Sequence, residues 1–142
     1  MKKLRKLNKI KILKSSSNYL SKSWPDSTKP NYINIVIKVR TNLAPIELLK
    51  ICNFIELKLG RIKTSINAPR TCDIDIIDYS RKILNEKNNQ LILPHPRLSK
   101  RNFVLLPLFE IEKNWVHPLL KKDIKDLILS LSNKEIRSIK QI

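Results

Sequence analysis

Apolar residues recur along this chain with two different periods. Over residues 32–40, Ile33, Ile35, Val36, Ile37 and Val39 form a β-branched run, which predicts a strand because branched side chains pack well on a pleated surface. Over residues 71–79, Cys72, Ile74 and Ile76 alternate with Asp73 and Asp75. Alternate strand residues face the same way, so a strand is predicted with both aspartates on one side. Residues 10–19 have strand character, with Ile10 and Ile12 on one face. Residues 91–93 predict a short extended piece ahead of a turn at Pro94, His95 and Pro96.

The helical period is clearest over residues 45–59, where Leu48, Cys52, Ile55 and Leu59 form an apolar stripe. Pro45 suits the first helical position, where its missing N–H is not needed. Gly60, the only glycine of the chain, follows the stripe directly, where a left-handed C-terminal cap favours glycine. Residues 101–111 are predicted helical at least in part. Leu120, Ile124, Leu127, Ile128 and Leu131 predict a second amphipathic helix, and Leu4 and Leu7 give residues 1–8 helical character. Residues 21–30 and 61–70 carry the proline and polar residues of loops. The last ten residues fit neither period. Strands and helices interleave, which predicts an α+β sandwich: one mainly antiparallel sheet with helices packed on it.

At 142 residues, 42% of them hydrophobic, the chain suits a single domain with a packed core. Its formal net charge of +17 favours an anionic partner, either a nucleic acid or a substrate rich in phosphate. Lysines scattered along a chain also make solvated faces that bind nothing. Here the cations are not clustered with interleaved aromatics, so no nucleic-acid partner is expected and a basic RNA-binding protein is the weaker reading. Cys52 and Cys72 lie far apart, too few for a disulfide scaffold and without metal-ligand spacing, so both are expected to pack as small apolar residues. Lysines interrupt the N-terminal apolar residues, and no long uncharged apolar run exists. Neither a signal peptide nor a membrane span is expected, which makes the cytoplasm the default location.

The sharpest candidate for chemistry is Asp73-Ile74-Asp75. Two carboxylates on one side of a strand can converge on hard cations such as magnesium, which takes one or two carboxylates together with substrate phosphates. An isolated Asp-x-Asp is more often the polar face of a half-exposed strand. The surrounding cations alter that balance: Arg61, Lys63 and Arg70 precede the pair, and His95 and Arg101 follow it. A bound polyphosphate requires cations of this kind. His95, held between two prolines, has a restricted backbone. His117 also precedes a proline and is expected to be structural. Trp24, Tyr32 and Phe103 are as readily core residues as walls for a flat ring, and Asn34 shares a strand face with Tyr32.

Several of these segments together resemble one family. Residues 67–76, Asn-Ala-Pro-Arg-Thr-Cys-Asp-Ile-Asp-Ile, are similar to the signature of the hydroxymethyldihydropterin pyrophosphokinases. Leu93-Pro94-His95-Pro96-Arg97-Leu98 and the following Arg101, Phe103, Val104, Leu105, Pro107 and Leu108 resemble the family's second conserved stretch. Pro30-Asn31-Tyr32-Ile33-Asn34, and Leu43-Ala44-Pro45 with Ile55-Glu56 and Gly60-Arg61, match two more segments in the same order. The resemblance implies a ferredoxin-like α+β fold and transfer of pyrophosphate from ATP to 6-hydroxymethyl-7,8-dihydropterin in folate biosynthesis. It also implies two magnesium ions held by Asp73 and Asp75. By the same resemblance, Arg61 and Arg70 of a mobile catalytic loop would join His95 and Arg101 on phosphate oxygens. Lys63 stands where many members have arginine. Trp24, Tyr32, Asn34 and Phe103 would line the pterin pocket, and Asn53, Glu56 and Ile76 the nucleotide side. A monomer is expected.

The chain departs from the family at its start. The family opens with a strand and a Gly-Ser-Asn loop, and no such triplet occurs here. Met1 aligns inside the family's first helix. The expectation is therefore a single pyrophosphokinase domain without its first strand and loop, with a start upstream of Met1 favoured over a shortened gene. An inactive paralogue of the same fold is the alternative. Ser23 and Pro25 also stand where Pro and Gly are frequent.

Overall fold

The computed structural model describes residues 9–21, 32–60, 72–86 and 91–142. Its first half is a bent antiparallel ribbon. Strand β1 (Ile10–Ser15) pairs with β4 (Ile37–Thr41), and β2 (Tyr19–Ser21) pairs with β3 (Tyr32–Asn34). The β-branched run over 32–40 is thus two strands. The ribbon breaks at Ile35 and Val36, where the buried Ser16 accepts the Val36 N–H through Oγ and donates its own N–H to the Val36 carbonyl, each at 2.9 Å. A side chain substitutes there for one rung of the ladder.

Register in β1 and β4 sorts charge from oil. Ile10, Ile12, Ile37 and Val39 turn inward. Lys11 lies opposite Arg40, and Lys14 opposite Lys38, on the outer side. A bulge between Ile12 and Lys14 inserts one extra residue and keeps Lys14 in phase with Lys11. Like charges directly across a ladder repel. Glu112 offsets one pair, lying 2.6 Å from Lys38 and 3.5 Å from Lys14.

Helix α1 (Pro45–Lys58) follows, starting at the proline and ending before Gly60, whose φ of 96° is the left-handed value anticipated for it. Leu48, Cys52 and Ile55 bury the predicted stripe against Ile10 and Leu43, forming one core. The second core gathers Leu98, the helix α2 (Asn102–Ile111) residues Val104, Leu105 and Leu108, then Trp115, Ile124, Leu127 and Leu131. Between the two in sequence lie β5 (Leu84–Glu86), paired with β6 (Leu91–Leu93), and a 3-10 turn at Leu98–Lys100. Helix α3 (Ile124–Leu129) is shorter than its sequence pattern predicts. Asp123 caps it by accepting the Lys125 N–H, so the helix starts there, and Leu120 lies outside it, exposed. The unassigned last ten residues form helix α4 (Asn133–Arg137), with a capping box between Ser132 and Glu135, and strand β7 (Ile139–Gln141). β7 pairs with β2, so β2 is central in the order β3-β2-β7.

The α+β class holds. Among the described residues, however, the strands form three small antiparallel sheets rather than one. Residues 72–78 belong to none of them, although a strand is predicted there. Their burial still alternates: Cys72, Ile74 and Ile76 are half-buried and Asp73 and Asp75 exposed. The backbone is bonded instead to a side chain and a turn. Ile74 donates to the Glu56 carboxylate at 2.7 Å, and the Ile77 carbonyl accepts from the His95 N–H at 2.8 Å. The helical character read into residues 1–8 and the two predicted loops, save Ser21 of β2, lie outside the described residues.

His117 has the structural role expected of it. It is buried, and its Nδ1 accepts the N–H groups of Leu119 and Leu120 at 3.2 and 3.0 Å. Leu105 sits at the centre of the second core with no exposed surface. Leu105→Ala is expected to lower the unfolding free energy by about 3 kcal/mol, from lost transfer energy and the cavity left behind. A urea titration followed by circular dichroism measures this as a fall in midpoint with the slope retained.

Candidate active site

The acidic segment lies across the seam between the two cores. Ile74, Ile76 and Tyr79 pack on the core of α1, while Ile77 packs on that of α2. Apolar anchoring on one side leaves Asp73 and Asp75 in solvent on the other. Arg101, the residue just before α2, brings its Nη1 to 3.8 Å from Asp75 Oδ2. Its guanidinium also lies over the ring of Phe103, 5.3 Å from the centroid, an arrangement that orients a cation without neutralising it.

His95 completes the group. Its backbone is fixed by the bond to Ile77, and its Nδ1 accepts the Arg97 N–H at 3.2 Å. That bond leaves Nε2 to carry the proton of the neutral ring and to donate. Partial burial lowers the His95 pKa below its ordinary value; Asp75 works against this, and Arg101 and Arg97 add to it. The three groups therefore sense one another electrostatically. Arg97 is the residue that sequence reasoning passed over as a site member, although it stands in the quoted Pro-His-Pro-Arg stretch.

Glu56 is buried within α1, with the peptide between the two aspartates bonded to it. Beside it, burial is the first cause pushing the Cys52 thiol up to about 11, with Glu56 and then Asp75 adding negative potential. Burial likewise raises Cys72, with help from Glu56 and Asp73. Both thiols stay protonated near neutral pH, and neither is suited to act as a nucleophile. Cys52 packs as the apolar residue expected; Cys72 is only half-buried.

Of the other residues singled out in the sequence, Ile76 is half-buried against the α1 core and Asn53 is exposed on α1. Tyr32 and Asn34 lie two apart on β3, Tyr32 exposed and Asn34 donating its amide to Ser21 Oγ at 3.0 Å. β3 touches α2, the helix that begins beside Arg101 and carries Phe103. Trp24, Arg61, Lys63 and Arg70 lie outside the described residues.

Two carboxylates, a guanidinium and a neutral imidazole on one surface can bind a phosphate chain with a hard cation. Asp73 and Asp75 supply the oxygen donors that magnesium prefers. Among the described residues no group of three or more His, Cys, Asp or Glu could hold a metal. An ion there would need further oxygens from a substrate.

Comparison with known proteins points the same way. The profile of the 7,8-dihydro-6-hydroxymethylpterin-pyrophosphokinase (HPPK) family matches residues 1–113. The chain belongs to this family. It is 39% identical over 82% of its length to the 2-amino-4-hydroxy-6-hydroxymethyldihydropteridine pyrophosphokinase of Aquifex aeolicus, covering 72% of that protein. It is 40% identical over 84% of its length to the enzyme of the same name from Synechocystis, covering 60% of it. Against the folic acid synthesis protein of Pneumocystis carinii it is 40% identical over 92% of its length, yet spans only 17% of that longer chain. Family membership agrees with the resemblance carried by the motifs around Asp73, His95 and Gly60. No helix among the described residues is long and apolar enough to cross a membrane.

The geometry fixes the direction of two titration effects. The His95 midpoint, followed by proton–carbon NMR, is expected below 6.5, the ordinary value. It should fall further in Asp75→Asn and rise in Arg101→Gln. A folded-state pKa below the unfolded one means that the unfolded chain binds more protons. The His95 contribution to stability is thus complete above the unfolded pKa and is lost as pH falls from that value through the folded-state pKa. An unchanged midpoint in both variants would separate His95 from Asp75 and Arg101.

Proposed function

We propose that this chain transfers pyrophosphate from ATP to the hydroxymethyl oxygen of 6-hydroxymethyl-7,8-dihydropterin, releasing AMP, within folate biosynthesis. Family membership supports the reaction class. The observation that carries it to particular residues is Arg101 at 3.8 Å from Asp75, beside exposed Asp73, with His95 close enough to feel both charges.

In this reading the hydroxymethyl oxygen forms a bond to the β-phosphorus of ATP as the bridge to the α-phosphate breaks. Such transfers need alignment and charge stabilisation more than covalent help from the protein. Asp73 and Asp75 would hold two magnesium ions, which supply positive charge to the phosphate oxygens. Arg101, held over the Phe103 ring, would donate to a phosphate oxygen through the guanidinium edge not turned to Asp75. His95 would act as a neutral donor through Nε2, its other nitrogen being engaged by Arg97. A neutral donor is compatible with two adjacent cations where a charged one would be repelled.

Arg61, Lys63 and Arg70 are proposed to close over the phosphates from the catalytic loop. Trp24, Tyr32, Asn34 and Phe103 are proposed to hold the pterin, and Asn53, Glu56 and Ile76 to line the nucleotide side. For Glu56 the bond to the Ile74 N–H adds a second part, since it orients the peptide between the acidic residues. We take the whole to be one domain of ferredoxin-like arrangement acting as a cytoplasmic monomer.

Asp73→Ala and Asp75→Ala are each expected to lower AMP formation by at least about a hundredfold, with the fold retained by circular dichroism. Activity of the parent chain should require both the pterin and a divalent cation. Chromatographic separation of AMP from ATP reads all of these. Full activity in either aspartate variant, or AMP release without the pterin, would remove the basis for these assignments.

A further inference from the structure

The acidic segment is followed at once by a strained turn. Ser80 and Arg81 both have positive φ, 48° and 62°, and the Lys82 N–H closes the turn on the Tyr79 carbonyl at 2.9 Å. Residues with a Cβ occupy this region at a cost, and two in succession persist only when their surroundings hold them. Asp78 is the side chain that holds them. Its Oδ1 accepts the Arg81 N–H at 3.2 Å, and its Oδ2 accepts the Trp115 indole N–H at 3.0 Å.

Trp115 is itself firmly placed. It is buried in the second core, its N–H bonds the Glu112 carbonyl, its carbonyl accepts from Ile124, and its ring meets His117 edge-on at 5.7 Å. The Asp78 carboxylate therefore ties a segment that lacks ladder partners among the described residues to a rigid part of the fold. Ile77, next to it, bonds His95, and Asp75 is three residues back. A change at Asp78 reaches both members of the site along a short stretch of backbone. Between half-buried Ile77 and Tyr79, packing alone would favour an apolar residue. A half-buried carboxylate bears a desolvation cost that these two donors offset.

We propose that Asp78, held by Trp115 and by the Arg81 backbone, is a positioning residue that sets where Asp75 stands relative to His95 and Arg101. The inference rests on the proposed pyrophosphokinase reading for its effect on rate, but its structural part is testable without activity. Asp78→Leu, Asp78→Asn and Trp115→Phe separate the possibilities. Asn keeps an oxygen for the indole and gives up only the turn bond from Arg81, Leu keeps neither acceptor, and Phe removes the indole donor.

Amide hydrogen exchange supplies the first measurement. At Ile74 and His95, the donors that fix the segment, exchange should quicken about tenfold in Asp78→Leu and Trp115→Phe relative to Leu108 in α2, which reports the fold at large. Asp78→Asn should stay close to the parent. The second measurement is AMP formation against magnesium concentration. Asp78→Leu and Trp115→Phe should each need about tenfold more magnesium and turn over at least about tenfold more slowly, the double variant Asp78→Leu/Trp115→Phe no worse than Asp78→Leu, and Asp78→Asn within about threefold of the parent.

Exchange at Ile74 and His95 that quickens only in step with Leu108 would overturn the proposal. So would a magnesium requirement unchanged in both Asp78→Leu and Trp115→Phe. If Asp78→Leu does not fold, Trp115→Phe and Asp78→Asn still decide, because the proposal requires them to differ. A parent chain that releases no AMP would instead overturn the reaction assignment, leaving the exchange measurement to judge Asp78.

Discussion

The buried Glu56 carboxylate accepts the N–H of Ile74, and the orientation of the acidic segment depends on that bond. Ile74 is the peptide between Asp73 and Asp75. Holding its N–H toward α1 fixes how the segment is turned about its own axis, and packing of Ile74 and Ile76 leaves Asp73 and Asp75 exposed. A buried carboxylate is expensive without donors, and an extended segment with no neighbouring strand among the described residues has N–H groups to offer. Each meets the other's need. The remaining fixings, Ile77 to His95 and Asp78 to Trp115, then place the segment along its length.

This arrangement divides labour between the two cores. The α1 core fixes which face of the segment is apolar, through Ile74, Ile76 and Tyr79. The α2 core carries the groups that meet it, because Arg101 precedes that helix and Leu98, just after the Pro-His-Pro turn, is wholly buried there. Asp75 and its cationic partner thus come from different halves of the fold. The site exists only where the halves are packed together, which makes its geometry a report on tertiary structure more than on any single element.

Much of this was legible in the residues, for reasons that can be named. The α1 boundaries follow from Pro45 and Gly60, whose backbone preferences act locally and need no tertiary context. The aspartate pair followed from period-two alternation, which survives in burial even where the ladder does not. The family's motifs led to His95 and Arg101. What the sequence did not disclose depended on long-range contacts. The break at Ile35 and Val36 is set by Ser16, twenty residues away. β5 is three residues long, too short for a period to appear. β7 exists because β2 offers it an edge. The role of Arg97 turns on a bond to His95 that residue type alone does not specify.

The paired cations on the outer side of β1 and β4 have a consequence beyond local repulsion. Among the described residues β1 and β4 pair only with each other, and an uncovered strand edge invites a second chain to add itself. Lys11, Lys14, Lys38 and Arg40 sit along this ribbon, and Glu112 lies as a counter-charge beside Lys14 and Lys38. Two ribbons brought side by side would set like charge against like at contact distance, where a Debye length of about 8 Å at physiological salt gives little screening. The bulge at Leu13 sharpens the effect by keeping Lys14 in the same row as Lys11. The repulsion that weakens the ribbon slightly in the isolated chain also raises the cost of laying a second cationic strand beside it.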